Sequence, residues 1–166
     1  NTNSENSKLV VEKVRQAITS EKEKLVGLSS EKEYNTILQI VNIIDQTLMV
    51  KTQQYLGVYP TSRDKFMADN VIWAKGFFGD SNLTICAHNV HVDKTLDNFM
   101  GKYLSTKFGN DFKSIGLSVG EGTFEAFNPK LNNTLTTFNI PSQVKTEFGN
   151  ALFTEAIAEN FFVKTA

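Results

Sequence analysis

Leu83-Thr84-Ile85-Cys86-Ala87-His88-Asn89-Val90-His91 is the stretch from which the fold is read. Its first five residues are a short apolar run between polar turns, the composition of a buried strand. The only two histidines of the chain follow at once, at the carboxyl end of that expected strand. In open α/β sheets ligands bind at such ends, because loop amides converge there. Downstream, Leu96, Phe99, Met100, Tyr103 and Leu104 form one face of a helix expected from about Thr95 to Lys107, with Gly109-Asn110 as its C-cap. Phe112 to Val119 then reads as a second strand. Strand, helix, strand in this order favours a parallel pair with a right-handed crossover.

On the N-terminal side the texture is helical. Val11, Val14, Ile18 and Leu25 recur at the three-and-four spacing of an amphipathic helix over Ser7 to Leu28. Ser30 with Glu33 reads as a capping box opening a second helix, which runs to about Gln54 with Tyr34, Ile37, Leu38, Val41, Ile44 and Leu48 on one side. Together they predict an antiparallel hairpin over residues 1–60. A third helix is expected from Thr61 or Ser62, with Asp64 in its first turn, where the dipole favours an anion. On the C-terminal side, Thr123 to Phe127 and Thr134 to Ile140 read as strands, with a glycine turn at Gly120–Gly122. Pro141-Ser142 opens a short helix, and Phe161-Phe162-Val163 suits a last strand. The expected class is therefore α/β: a helical hairpin, then an α/β portion over 61–166 with a partly parallel sheet and flanking helices.

Composition narrows the function classes. The chain has 166 residues, 17 basic against 18 acidic, and a sequence pI near 6.2. That balance lacks the basic excess of a nucleic-acid-binding module. A single cysteine excludes an intramolecular disulfide framework and a cysteine-rich zinc site. No apolar run reaches the roughly 20 residues that span a bilayer, and no apolar signal-peptide region opens the chain. The expected location is cytoplasmic, with no membrane partner.

The residues suited to chemistry lie in three places. His88 and His91 carry side chains that exchange protons near neutral pH, although an isolated pair at this spacing equally suits a surface loop. As metal ligands they depart from the helical HExxH pattern, being three apart rather than four. Arg63, Met67 and Asn70 share a face of the third helix, and an arginine there holds a carboxylate or polarises a carbonyl through its fork of donors. Gly116 to Thr123 resembles a phosphate loop only superficially, since no Lys-Ser/Thr pair and no helix follow it. Glu121 in that turn is a further candidate for the cleft. Cys86, inside the expected strand, reads as a core thiol.

Taken in order, Arg63-Asp64-x-x-Met67-Ala68-x-Asn70-Val71-x-Trp73, Ala87-His88-Asn89-x-His91-Val92, Met100-Gly101-x-x-Leu104 and Ile115-Gly116 with Gly120-x-Gly122-Thr123-Phe124 resemble the erythromycin esterase-like family. The likeness is close from Arg63 to Phe127 and looser on either side. It implies an α/β fold with a helical insertion and a deep cleft, and opening of a macrolactone ester by activated water without metal or other cofactor. Carried over by motif, His88 and Arg63 are the catalytic residues, with His88 relaying a proton or orienting the carbonyl and Arg63 stabilising developing negative charge. Asn89, His91 and Asn70 match the motifs as residues that shape the cleft around substrate.

The resemblance also implies a water-activating histidine and acidic partners in an N-terminal half, and nothing before Ser7 supplies them. The expectation is a central-to-C-terminal fragment of a hydrolase of small-molecule esters or lactones, inactive by itself. Apolar surface left by the missing half would promote self-association. The alternative is a non-enzymatic binding or assembly module using the helical hairpin. A metal-dependent hydrolase built on His88 and His91 is a third, weaker expectation.

Overall fold

The computed structural model describes residues 2–58, 61–79, 81–117 and 122–140. The chain divides into two compact units, Asn1–Ile115 and Gly116–Ala166. The expected boundary near residue 60 falls inside the first of them.

The first unit begins with α1 (Thr2–Ser20) and α2 (Lys22–Leu28), separated at Glu21, whose φ of −102° and ψ of 18° leave helical geometry. After the turn at Ser29, α3 (Glu31–Tyr55) runs back against α1. Ser30 caps α3 as its sequence requires: its backbone is extended and its hydroxyl accepts the Glu33 N–H at 3.1 Å. Lys22 bridges the turn to Glu31 at 2.9 Å, and the hydrogen bond to that carboxylate raises its pKa. Tyr34, Gln39 and Val41 are the buried residues of α3. This is the expected helical hairpin.

A seam of amides fixes the register of the next helix, α4 (Ser62–Phe77), against α3. Asn70 of α4 accepts from Gln39 Nε2 at 2.8 Å and donates to Gln46 Oε1 at 2.9 Å. Asn42 donates to Gln39 Oε1 at 3.4 Å and accepts from Arg15 of α1. Amides paired at both ends tolerate partial burial and penalise sliding, because a shifted helix would leave donors unmatched.

Beyond α4 the structure departs from the expected strand–helix–strand unit. Residues 81–88 run without regular structure, Cys86 is exposed, and Ile85 is the residue that packs on the core. Residues 112–117 likewise form no strand. Apolar composition makes a segment fit for a sheet, but a strand needs a neighbour to pair its N–H and C=O groups, and neither segment joins a ladder among the described residues. A short helix, α5 (Asn89–Val92), replaces the loop expected around the histidines. The helix expected from Thr95 begins only at Met100, as α6 (Met100–Phe108). Two local features delay it: Thr95 turns back onto Asp93, and Asn98 adopts a left-handed φ of 67°. The core of this part is Ala68 of α4 with Met100 and Leu104 of α6, each no more than 1% exposed. Met67, Val71, Ile72, Ile85, Val92, Tyr103, Phe108 and Phe112 close around them.

The second unit holds an antiparallel hairpin of β1 (Gly122–Asn128) and β2 (Thr134–Ile140), with Phe124 opposite Phe138 and their rings stacked at 5.3 Å. Both strands lie where the sequence puts them, to within a residue at each end. Asn132 and Asn133 adopt the left-handed conformations of the turn. The mixed helix-and-strand class stands, and its sheet among the described residues is antiparallel, with no parallel pair. Ser118 to Glu121, the helix expected at Pro141-Ser142 and the strand expected at Phe161–Val163 lie outside the described residues.

Candidate active site

Three helix ends of the first unit meet around one carboxylate. Asp64 is the third residue of α4 and only 5% exposed. Its Oδ1 lies 2.6 Å from His91 Nδ1 and accepts the N–H of Met100, the first residue of α6, at 3.1 Å. The carboxylate therefore sits at the N-terminal ends of two helices, where partial positive charge favours it. Twenty-seven residues of sequence separate Asp64 from His91. The packing of Ala68 against Met100 and Leu104 closes that distance, by holding α4 and α6 together just beneath the pair.

His91 is held on three sides. Its side chain is 14% exposed. An ionised carboxylate only accepts, so the proton of the neutral ring is assigned to Nδ1 and points at Asp64. Nε2 then carries a lone pair, and Arg63 Nη1 approaches it to 3.4 Å from the exposed start of α4. The Phe99 ring lies 6.0 Å from the imidazole, tilted by 53°. A histidine with a carboxylate behind it and a guanidinium in front is arranged to take a proton at Nε2 while negative charge forms beside Arg63.

The other motif residues are placed differently. His88 is exposed and caps α5, with its Nδ1 accepting the Val90 N–H at 3.4 Å. Asn89 is exposed at the first position of the same helix. Asn70 lies two turns along α4 from Arg63 and has both ends of its amide engaged by α3. Of the five residues singled out in the sequence, Arg63 and His91 come together, while His88 and Asn89 border the helix that carries His91.

Sequence reasoning missed the pairing of Asp64 with His91. As a first-turn acid it looked like a dipole partner, a role that needs no second helix. The available signal was its place beside Arg63 in the quoted motif. Two open clefts lie elsewhere in this unit, one along α6 lined by Asp97, Lys102, Tyr103 and Lys107, the other between α1 and α3. Neither includes Arg63, His88 or His91. No group of three or more His, Cys, Asp or Glu side chains among those residues has the geometry to hold a metal ion. No described helix is long and apolar enough to cross a membrane.

The fold and cluster define a mixed helix-and-hairpin protein with a carboxylate-backed histidine at a helix junction. The family model described as erythromycin esterase matches residues 2–166, and the chain belongs to that family. A relative from Escherichia coli, named erythromycin esterase type II, is 32% identical over 80 residues, a match covering 43% of this chain and 19% of that protein. The matched stretch thus spans about a fifth of the relative's length. No solved structure matches the chain.

Proposed function

We propose that this stretch supplies the proton-handling part of a metal-independent hydrolase that opens small-molecule esters or macrolactones with water. The observation that carries the proposal is the buried Asp64–His91 contact of 2.6 Å with Arg63 at the opposite ring nitrogen. Membership of the erythromycin esterase family supports the substrate class. In this reading water adds to the ester carbonyl carbon and its proton passes to His91 Nε2. Asp64 stabilises the imidazolium, and Arg63 faces the oxyanion of the tetrahedral intermediate. On collapse the ester C–O bond breaks, and the leaving alkoxide takes the proton back, giving a hydroxy acid. His88 and Asn89, on the exposed start of α5, contact the substrate. Asn70 contributes by fixing α4.

In this reading the 166 residues alone open no lactone, since the match covers only 19% of the relative named erythromycin esterase type II. The test is mass spectrometry of macrolide lactones after incubation with this chain and with a longer polypeptide carrying it. The longer protein is expected to add one water to the lactone, and His91→Ala or Arg63→Ala to slow it by about 100-fold or more. Undiminished turnover by His91→Ala sinks the assignment.

One observation favours a second reading, association through the helical hairpin. Val10 and Ile44 stay about half exposed along the cleft between α1 and α3. Sedimentation separates the two, since a pure assembly module keeps its oligomeric state and shows no lactone opening in any length.

A further inference from the structure

The helix that carries His91 is pinned from behind at a point with no room for a side chain. Gly101, the second residue of α6, is buried against the backbone of Val92 and Asp93, the two residues after His91. A Cβ at position 101 would overlap the Val92 and Asp93 carbonyl groups, which are backbone atoms and cannot swing aside. Ser114 holds the same place from the other direction, its hydroxyl donating to the Val92 carbonyl at 2.7 Å. Met100, next to Gly101, donates its N–H to the oxygen of Asp64 that also meets His91. The close approach at 101 and the hydrogen bond at 100 are therefore one mechanical unit.

We propose that Gly101 is a positioning residue for His91, assisted by Ser114: the side-chain-free contact lets the α6 N-terminus seat Asp64, and Asp64 then holds His91 in the Nδ1–H form with the Nε2 lone pair turned toward Arg63. This rests on the proposed role of His91 and adds the device that sets its tautomer. Relieving the overlap from an alanine methyl requires α6 and the Val92–Asp93 backbone to part by about 1 Å, and a shift of that size at Met100 is enough to take its 3.1 Å N–H···O contact with Asp64 beyond hydrogen-bonding range. Asp64 then loses one of its two tethers. The Arg63 contact, exposed and 3.4 Å long, is too weak to hold the ring by itself.

The test reads the ring directly by imidazole ¹⁵N chemical shifts of this chain, labelled at histidine, in a His88→Gln background that leaves His91 as the only imidazole. Spectra are taken at a pH where the ring is neutral. The unaltered site is expected to show a protonated Nδ1 and an unprotonated Nε2. Gly101→Ala is expected to collapse the separation of the two resonances toward their average or to reverse it, and Ser114→Ala to move it the same way by less. Gly76→Ala, in open space on α4, is expected to change nothing. If Gly101→Ala does not fold, as judged by circular dichroism, Ser114→Ala carries the test. A folded Gly101→Ala with the unaltered shift pattern overturns the positioning role, as does an unchanged Ser114→Ala where the first variant is unfolded. An Nε2–H form in the unaltered site overturns the Asp64–His91 reading as well, so the two failures are distinguishable.

Discussion

At the scale of single residues, Asp64 and Arg63 are chain neighbours with opposite energetic characters. Asp64 accepts from a backbone N–H and from a mostly buried imidazole, so removing its carboxylate strands two donors away from water. Hydrogen bonds to a charged group are worth about 1.5–3 kcal/mol each, and stranding the donors forfeits their desolvation as well. Asp64→Ala is expected to cost about 3 kcal/mol in urea unfolding, with the slope against denaturant unchanged. Arg63 is exposed and makes one long contact, so Arg63→Ala is expected to stay within about 0.5 kcal/mol of the parent. Equal losses for the two variants would show that Asp64 is not buried and paired as described. If the proposed function holds, activity reverses the emphasis for Arg63, which is dispensable for folding and needed for the reaction. His91 and Asp64 were both legible as motif residues, but their pairing was not. A pairing across 27 residues depends on helix packing that no local pattern encodes.

At the scale of elements, what was legible in the sequence followed locality. Ser30 and Glu33 mark the start of α3 because both halves of the cap lie within one turn. β1 and β2 were legible because a hairpin needs only a short turn between two β-prone runs. Leu83 to Ala87 and Phe112 to Val119 misled because composition reports fitness for burial, whereas strand formation depends on a distant partner. The late start of α6 is local but subtle. Thr95 donates to Asp93 through its hydroxyl at 2.6 Å and its N–H at 2.7 Å, ending α5 in a turn instead of continuing into a helix. These bonds, the hydroxyl first, hold the Asp93 carboxyl below the ordinary carboxylate range. With the folded pKa depressed, the turn contributes stability above the unfolded value of about 4, and that contribution is lost as pH falls through the folded value. The difference in Tm between the parent and Asp93→Ala is therefore expected near neutrality and should shrink toward zero in acid; a difference that grows in acid contradicts the turn. Gly76 provides a contrast with Gly101 in the other direction. It lies in the last turn of α4, where an added Cβ would meet nothing, so Gly76→Ala is expected to stabilise by about 0.5–1 kcal/mol, readable as a raised Tm.

At the scale of the whole molecule, the distribution of apolar surface decides which of the two functional readings dominates. The buried core of the first unit is small, and large apolar side chains remain outside it along α1 and α3: Leu9, Val10, Val14, Ile40 and Ile44 are all between 45% and 59% exposed. Val10 and Ile44 line a shared cleft with Val11 and Leu48, so at least these apolar side chains form one patch and are not scattered singly. Contiguous apolar patches of this kind are uncommon on monomers and favour association. The amide seam along α3 argues that the exposure is not simply a loosely packed core, because Gln39, Asn42 and Asn70 already fix how α3 meets α4 and, through Arg15, α1. The expectation is concentration-dependent self-association of this chain in sedimentation velocity. Val10→Lys should weaken it strongly while leaving the Tm of the monomer nearly unchanged, since Val10 is 59% exposed and contributes little to the fold. A chain that stays monomeric at high concentration removes the support for assembly through the hairpin and leaves the Asp64–His91–Arg63 cluster as the feature that explains why this stretch folds as it does. Association that Val10→Lys does not touch would move the contact elsewhere on the molecule, away from the face that α1 and α3 leave open.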